Sequence, residues 1–172
     1  MSATRPVLYS ETEIAVRVRD LARSIATLSA PPQIIVPVLT GAFVFAADLS
    51  RAMAREGLDL PVEFLWLRRY GQHREGGEMT VLAGPGETVA GARVLLIDGV
   101  LDHGHTLVTA RDLLIKAGAA SVMTAVVLDK RRAGVPIAAD LCCFSGSDAF
   151  VVGYGMDDAG LGRGLPEIVS AN

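Results

Sequence analysis

The chain has 172 residues, 51% hydrophobic and 20% charged, with a formal net charge of -3 and a mean hydropathy of +0.39; this is length enough for a real core in a single domain spanning 1–172. The mild acidity argues against broad nucleic-acid or anionic-membrane binding and leaves room for a local phosphate pocket. No apolar run approaches the ~20 residues of a bilayer span, the opening MSATRPVLYS has no signal core, and the only cysteines, the adjacent Cys142 and Cys143, suit a reduced compartment, so a soluble cytoplasmic protein is expected.

Ser10 with Glu13 three residues on forms a capping box. Ile14, Val18, Leu21, Ile25 and Leu28 then make the core stripe of an amphipathic helix that Pro31-Pro32 ends. Ile34 to Leu39 reads as a buried strand, although Pro37 cannot donate to a ladder from its centre. Thr40-Gly41 is the turn into a helix that runs from Ala42 to about Glu56, with Gly57 as its C-terminal cap. That turn is equally readable as a tight connection or as a backbone anion site.

Val62 to Leu67 reads as a strand ending in Arg68-Arg69-Tyr70. The polar, glycine-rich stretch 71–78 that follows is either a hairpin connection or a mobile lid over a site. Met79 to Leu82 is a short return strand, and Gly84-Pro85-Gly86 a turn. Val94 to Ile97 is a strand buried on both faces that stops at Asp98. A helix covers Thr106 to Lys116, Val122 to Leu128 is the next buried strand, and Leu141–Phe144 and Phe150–Tyr154 are the last two. The segment from Leu165 is a terminal extended piece. Strands alternating with helices predict a mainly parallel sheet, with ligands at the carboxyl ends of the strands. The ends at Thr40-Gly41, Asp98 to Thr106, Lys130 and Asp157 should converge on one cleft.

The stretch from Asp98 to Thr106 carries the chemistry. Gly104 lets backbone N–H groups approach an anion, the following helix points its positive dipole end there, and Thr106 adds a hydroxyl. This suits a phosphate monoester. Asp98 and Asp102 suit sugar hydroxyls, Mg²⁺ or proton transfer. A P-loop is absent, so a phosphorylated sugar is favoured over a nucleoside triphosphate. His103 and His105, with Asp98 and Asp102, also raise the alternative of a transition-metal site.

Arg93 to Leu107 resembles the phosphoribosyl-diphosphate motif of type I phosphoribosyltransferases. Val38 to Phe43, Tyr70, Leu128-Asp129-Lys130 and Phe150 to Asp157 narrow the resemblance to the hypoxanthine-guanine phosphoribosyltransferases. The resemblance implies an α/β fold: a mainly parallel twisted sheet flanked by helices, with a small hood formed by the N- and C-terminal segments and a flexible loop beginning near Tyr70. It implies transfer of 5-phosphoribosyl from phosphoribosyl diphosphate to hypoxanthine or guanine, with Mg²⁺ as cofactor, in a homodimer or homotetramer. Asp102 would be the catalytic acid or base near the purine N7. Asp102, His103, Gly104, His105 and Thr106 would hold the 5′-phosphate, and Asp98 the ribose or a metal. Thr40, Gly41 and Arg163 would contact diphosphate. Lys130, Phe150, Val151 and Asp157 would line the purine, Asp157 also holding a second metal. Departures from the family pattern fall at Gly99, in place of an acid, at Thr40, in place of a lysine, and at His103 and His105. They set a second expectation beside the first, a weakly active relative that binds purine nucleotides as a sensor.

Overall fold

The computed structural model describes residues 5–70 and 78–171, apart from the side chains of residues 69, 70 and 78. The elements are β1 (Val7–Tyr9), α1 (Glu11–Ala26), β2 (Ile34–Leu39), α2 (Phe43–Arg55), β3 (Leu65–Tyr70), β4 (Glu78–Ala83), β5 (Arg93–Leu101), α3 (His105–Lys116), β6 (Ser121–Asp129), β7 (Leu141–Ser145), β8 (Val151–Val152) and β9 (Ile168–Ser170). The capping box is formed: Glu13 N donates to Ser10 Oγ, and Ser10 N to Glu13 Oε2. Helix α1 closes at Ala26 on a Thr27 cap, ahead of the prolines. Leu28 lies past its end and still packs against the core.

Six strands form the main sheet in the order β4-β3-β2-β5-β6-β7, parallel except for β4. Alternate side chains explain the three layers. Ile35, Leu95, Ile97, Ala125 and Val127 pack with α1 and α2 on one face. Ile34, Val36, Val94, Leu96 and Val126 pack with Leu107, Ala110 and Leu114 of α3 on the other. A strand covered on both faces has no polar side to show, which is why these runs read as continuously apolar.

Three further differences from the sequence reading bear on the site. First, β3 begins at Leu65, and Val62 makes only an isolated bridge to Ile35. Pro37 pairs with Ile97 of β5, and the regular ladder from β2 to β3 starts just after it, at Val38 and Leu65. The missing N–H thus falls where the neighbouring chain is irregular, which is how a proline is accommodated inside the sheet. Second, β5 does not stop at Asp98. It continues to Leu101 because β6 pairs beside it as far as Leu101 and Asp129. Third, β8 is not a strand of the main sheet: it joins β9 and β1 in a separate antiparallel sheet, order β1-β9-β8. This is the hood, built from both ends of the chain. It is fastened where Tyr9 stacks on Phe144 with centroids 3.9 Å apart, and where Tyr154 Oη donates to Asp48 Oδ2 of α2 at 2.8 Å.

Candidate active site

The carboxyl end of β5 delivers Asp98 and Asp102, and the chain turns through Gly104 into α3. Gly104 is left-handed, with φ +80, and a Cβ there would meet Val135 Cγ1 at 2.9 Å and Ile137 Cγ2 at 3.0 Å. Both the backbone and the space therefore require glycine. No acid stands in the first turn of α3. Its leading N–H groups and positive dipole end are left facing the loop, a ready anion cradle at His105 and Thr106.

A cleft of about 700 Å³ opens over this cradle, lined by Asp98, the whole of Asp102 to Leu107, Lys130, Arg132 and Phe150. The predicted phosphate loop, proton-transfer carboxylate, purine lysine and stacking ring are therefore neighbours, although they lie just past β5, at the start of α3, just past β6 and just before β8. At its centre Lys130 Nζ donates to Asp102 Oδ2 at 2.9 Å, with the lysine side chain only 3% exposed. Arg132 Nε holds the other oxygen of Asp102, and His103 Nδ1 lies 3.4 Å from it. Burial raises the Asp102 carboxyl, but the hydrogen bonds and charges of Lys130 and Arg132 outweigh it and hold the group below the usual carboxylate range. Arg132 was not among the residues singled out from the sequence. Its signal was the run Lys130-Arg131-Arg132 beyond a buried strand.

A second cleft, of about 620 Å³, shares Asp98, Val100 and Thr106 with the first and adds Thr40, Gly41, Asp157 and Arg163. Burial pushes the Asp98 carboxyl up to about 7, although it accepts a hydrogen bond from Gly99 N at 2.7 Å. Arg163 Nη2 meets Asp157 Oδ1 at 2.7 Å, and its Nη1 donates to the Gly155 carbonyl at 2.7 Å. The four predicted strand ends do meet, in two clefts joined at Asp98 and Thr106. A separate cavity between α1 and α2 touches this region only through Arg163 and carries no phosphate cradle.

One expected residue, Val151, stands apart from the clefts. The Val151 side chain is buried in the core. Ala171 N donates to Phe150 O, so Val151 opposite Ser170 is a pair that exchanges no hydrogen bonds, and its backbone groups point to the open edge of β8. The backbone of Tyr70 ends β3. Its side chain and residues 71–77 of the expected lid at 71–78 lie outside the described residues.

For a metal, Asp98 and Asp157 line the same cleft. Among the described residues, no three His, Cys, Asp or Glu side chains form a cage, so the transition-metal alternative for His103 and His105 gains no set of ligands. Two carboxylates on an open cleft do fit Mg²⁺, which takes its remaining ligands from phosphate oxygens and water.

The model of the phosphoribosyl transferase domain family matches residues 8–159. The hypoxanthine-guanine phosphoribosyltransferase of Aquifex aeolicus is 36% identical over 166 residues, covering 94% of this chain and 92% of that protein. The hypoxanthine phosphoribosyltransferase of Escherichia coli K12 is 33% identical over 175 residues, covering 98% and 96%. Among solved structures, the Trypanosoma cruzi hypoxanthine phosphoribosyltransferase in complex with the product IMP superposes with a TM-score of 0.88 at 31% identity, covering 99% of this chain and 95% of that one. Similarity of this extent, on a sheet that brings the phosphate cradle and the acid pair to one place, means that the chain belongs to the phosphoribosyltransferase family, within its hypoxanthine-guanine group.

Proposed function

We propose that this protein transfers the 5-phosphoribosyl group of phosphoribosyl diphosphate to hypoxanthine or guanine, forming IMP or GMP and releasing diphosphate, as a purine-salvage enzyme. The bond from the ribose anomeric carbon to the diphosphate oxygen breaks, the bond to purine N9 forms, and the base gives up one proton. The observation that carries the reading is the meeting of Asp102, Lys130 and Phe150 with the cradle at Gly104 to Thr106 in one cleft.

In this reading the amides and side chains of His103 to Thr106 bind the 5′-phosphate, and Asp102 contributes its backbone there. The Asp102 carboxylate accepts the proton at purine N7. Lys130 donates to the 6-oxo group, Phe150 stacks on the ring, and the Val151 backbone reads the base edge. Thr40, Gly41 and Arg163 hold diphosphate oxygens. Asp98 holds the ribose, and with Asp157 it would hold Mg²⁺. That ion would neutralise charge developing on the leaving diphosphate. The reading also places the enzyme in the cytoplasm as a homodimer or homotetramer. The half-exposed Phe64, just before β3, and Trp66 within it support assembly, and no helix among the described residues is long and apolar enough to cross a membrane.

One observation favours the second reading, a purine-nucleotide sensor. A Cβ at Gly99 would meet the Gly41 carbonyl oxygen at 3.2 Å and Met156 Cγ at 3.3 Å, so a second acid beside Asp98 has little room. Purified protein with Mg²⁺, phosphoribosyl diphosphate and each purine, followed by ultraviolet absorbance, separates the two. Nucleotide formation is expected. Measurable IMP or GMP binding with no product from any purine sinks the transferase reading and leaves the sensor.

A further inference from the structure

Asp102 is held by two cations of different kinds. Lys130, the residue after the end of β6, is almost fully buried and reaches Oδ2 with a flexible ammonium. Arg132 sits on the following loop, 35% exposed, and its Nε reaches Oδ1. An ammonium has three donors on a rotatable stem, whereas a guanidinium is a fixed planar fork. A base that engages Lys130 through an exocyclic oxygen therefore loosens one hold on Asp102 and leaves the other.

We infer that Arg132 is a positioning residue, keeping the Asp102 carboxylate anchored and charge-compensated while Lys130 is drawn to the base; the assignment rests on the transferase reading above. The other charged or titratable groups around Asp102 are His103 beside it and Asp98, His105, Asp148 and Asp158, which line the same cleft. None of these reaches Oδ1 as a permanent cation. Arg131 is turned away, with its Nε 3.8 Å from Asp129 Oδ2.

The test compares Arg132→Gln and Arg132→Lys with the unaltered protein in two readouts. The first is the pH profile of kcat with hypoxanthine, Mg²⁺ and phosphoribosyl diphosphate. The second needs no turnover: the carbon-13 titration of the Asp102 carboxyl, assigned by its disappearance in Asp102→Asn. With Arg132→Gln the proton affinity of Asp102 is expected to rise about tenfold. The acid limb of kcat moves to higher pH by the same factor, and kcat falls more than the purine KM rises. Arg132→Lys, which keeps the charge and loses the fork, lies between. An Asp102 titration unmoved in Arg132→Gln overturns the inference, as does a rise in purine KM alone. If Arg132→Gln fails to fold, a titration in Arg132→Lys identical to that of the unaltered protein overturns it equally. If the unaltered protein makes no nucleotide while its Asp102 titration shifts in the variants, the anchor stands and the transferase reading falls.

Discussion

Arg163 Nη2 lies 2.7 Å from Asp157 Oδ1, so the cation proposed for diphosphate is paired with the carboxylate proposed for metal. Each is 29% exposed. Incoming diphosphate and Mg²⁺ would share the pair between them, the phosphate taking the guanidinium and the metal the carboxylate. Arg163→Ala is expected to weaken phosphoribosyl-diphosphate binding about tenfold or more. It should cost less than about 1 kcal/mol of stability, because the pair is partly solvated. Calorimetric titration and urea unfolding read the two. Unchanged donor affinity removes Arg163 from the site.

Asp102→Asn separates chemistry from binding. Turnover should fall by about 10²–10⁴-fold, the usual contribution of a positioned proton-transfer group. IMP affinity should change far less. The variant also leaves buried Lys130 without its anion, at a cost of about 1–3 kcal/mol. Because the folded-state carboxyl is held below its ordinary range, its stabilisation is present above that range and lost as pH falls through the lower folded value. The stability gap between the two proteins should therefore close in acid. A gap that persists would assign it to packing.

Asp98 has the opposite sign. Its carboxyl is pushed up to about 7 in the folded protein, from 3.8. Between those values the unfolded chain has released the proton and the folded chain retains it, so metal-free stability falls as pH rises through this window and levels above it. At pH 8 in EDTA, Asp98→Asn should be more stable than the unaltered protein by ~1–3 kcal/mol, and near pH 4 the difference should vanish. Urea unfolding across that range checks it, and a pH-independent difference would deny the desolvation of Asp98. Asp98→Asn should also weaken Mg²⁺-dependent donor binding.

Two glycines give graded expectations. Gly104→Ala forces a left-handed backbone on alanine and drives a methyl to 2.9 Å from Val135. A loss of ~1–3 kcal/mol and a collapse of IMP binding are expected. Gly99→Ala meets gentler contacts, 3.2 Å to the Gly41 carbonyl oxygen and 3.3 Å to Met156 Cγ. It should cost about 1 kcal/mol and act on the diphosphate side of the site. Equal losses of IMP affinity in the two would mean that the phosphate cradle does not depend on Gly104.

Much of this could be read from neighbouring residues. Ser10 and Glu13 cap α1 because they lie three apart and need no partner elsewhere. The runs at 34–39, 94–97 and 122–128 announce a sheet covered on both sides, since only such strands can afford no polar face. Gly104 is legible for the same local reason: it lies between a strand end and a helix start. Errors arose where the decisive partner was distant. An acid at position 98 reads as a strand end, yet β6 pairs on past it. The run 150–154 reads as a last strand, yet only Val151–Val152 form one, drawn by β9 into the hood.

By itself, then, the sequence determined the α/β class, the glycine turn into α3 and the family, because those features depend on residues within a few positions of each other. Only the tertiary structure decided how the site is charged. Lys130 and Arg132 lie 28 and 30 residues from Asp102, and parallel pairing of β5 with β6, as far as Leu101 and Asp129, brings them together. Parallel strands must be joined by a long crossover, so the groups that set the charge of this carboxylate are necessarily remote from it along the chain.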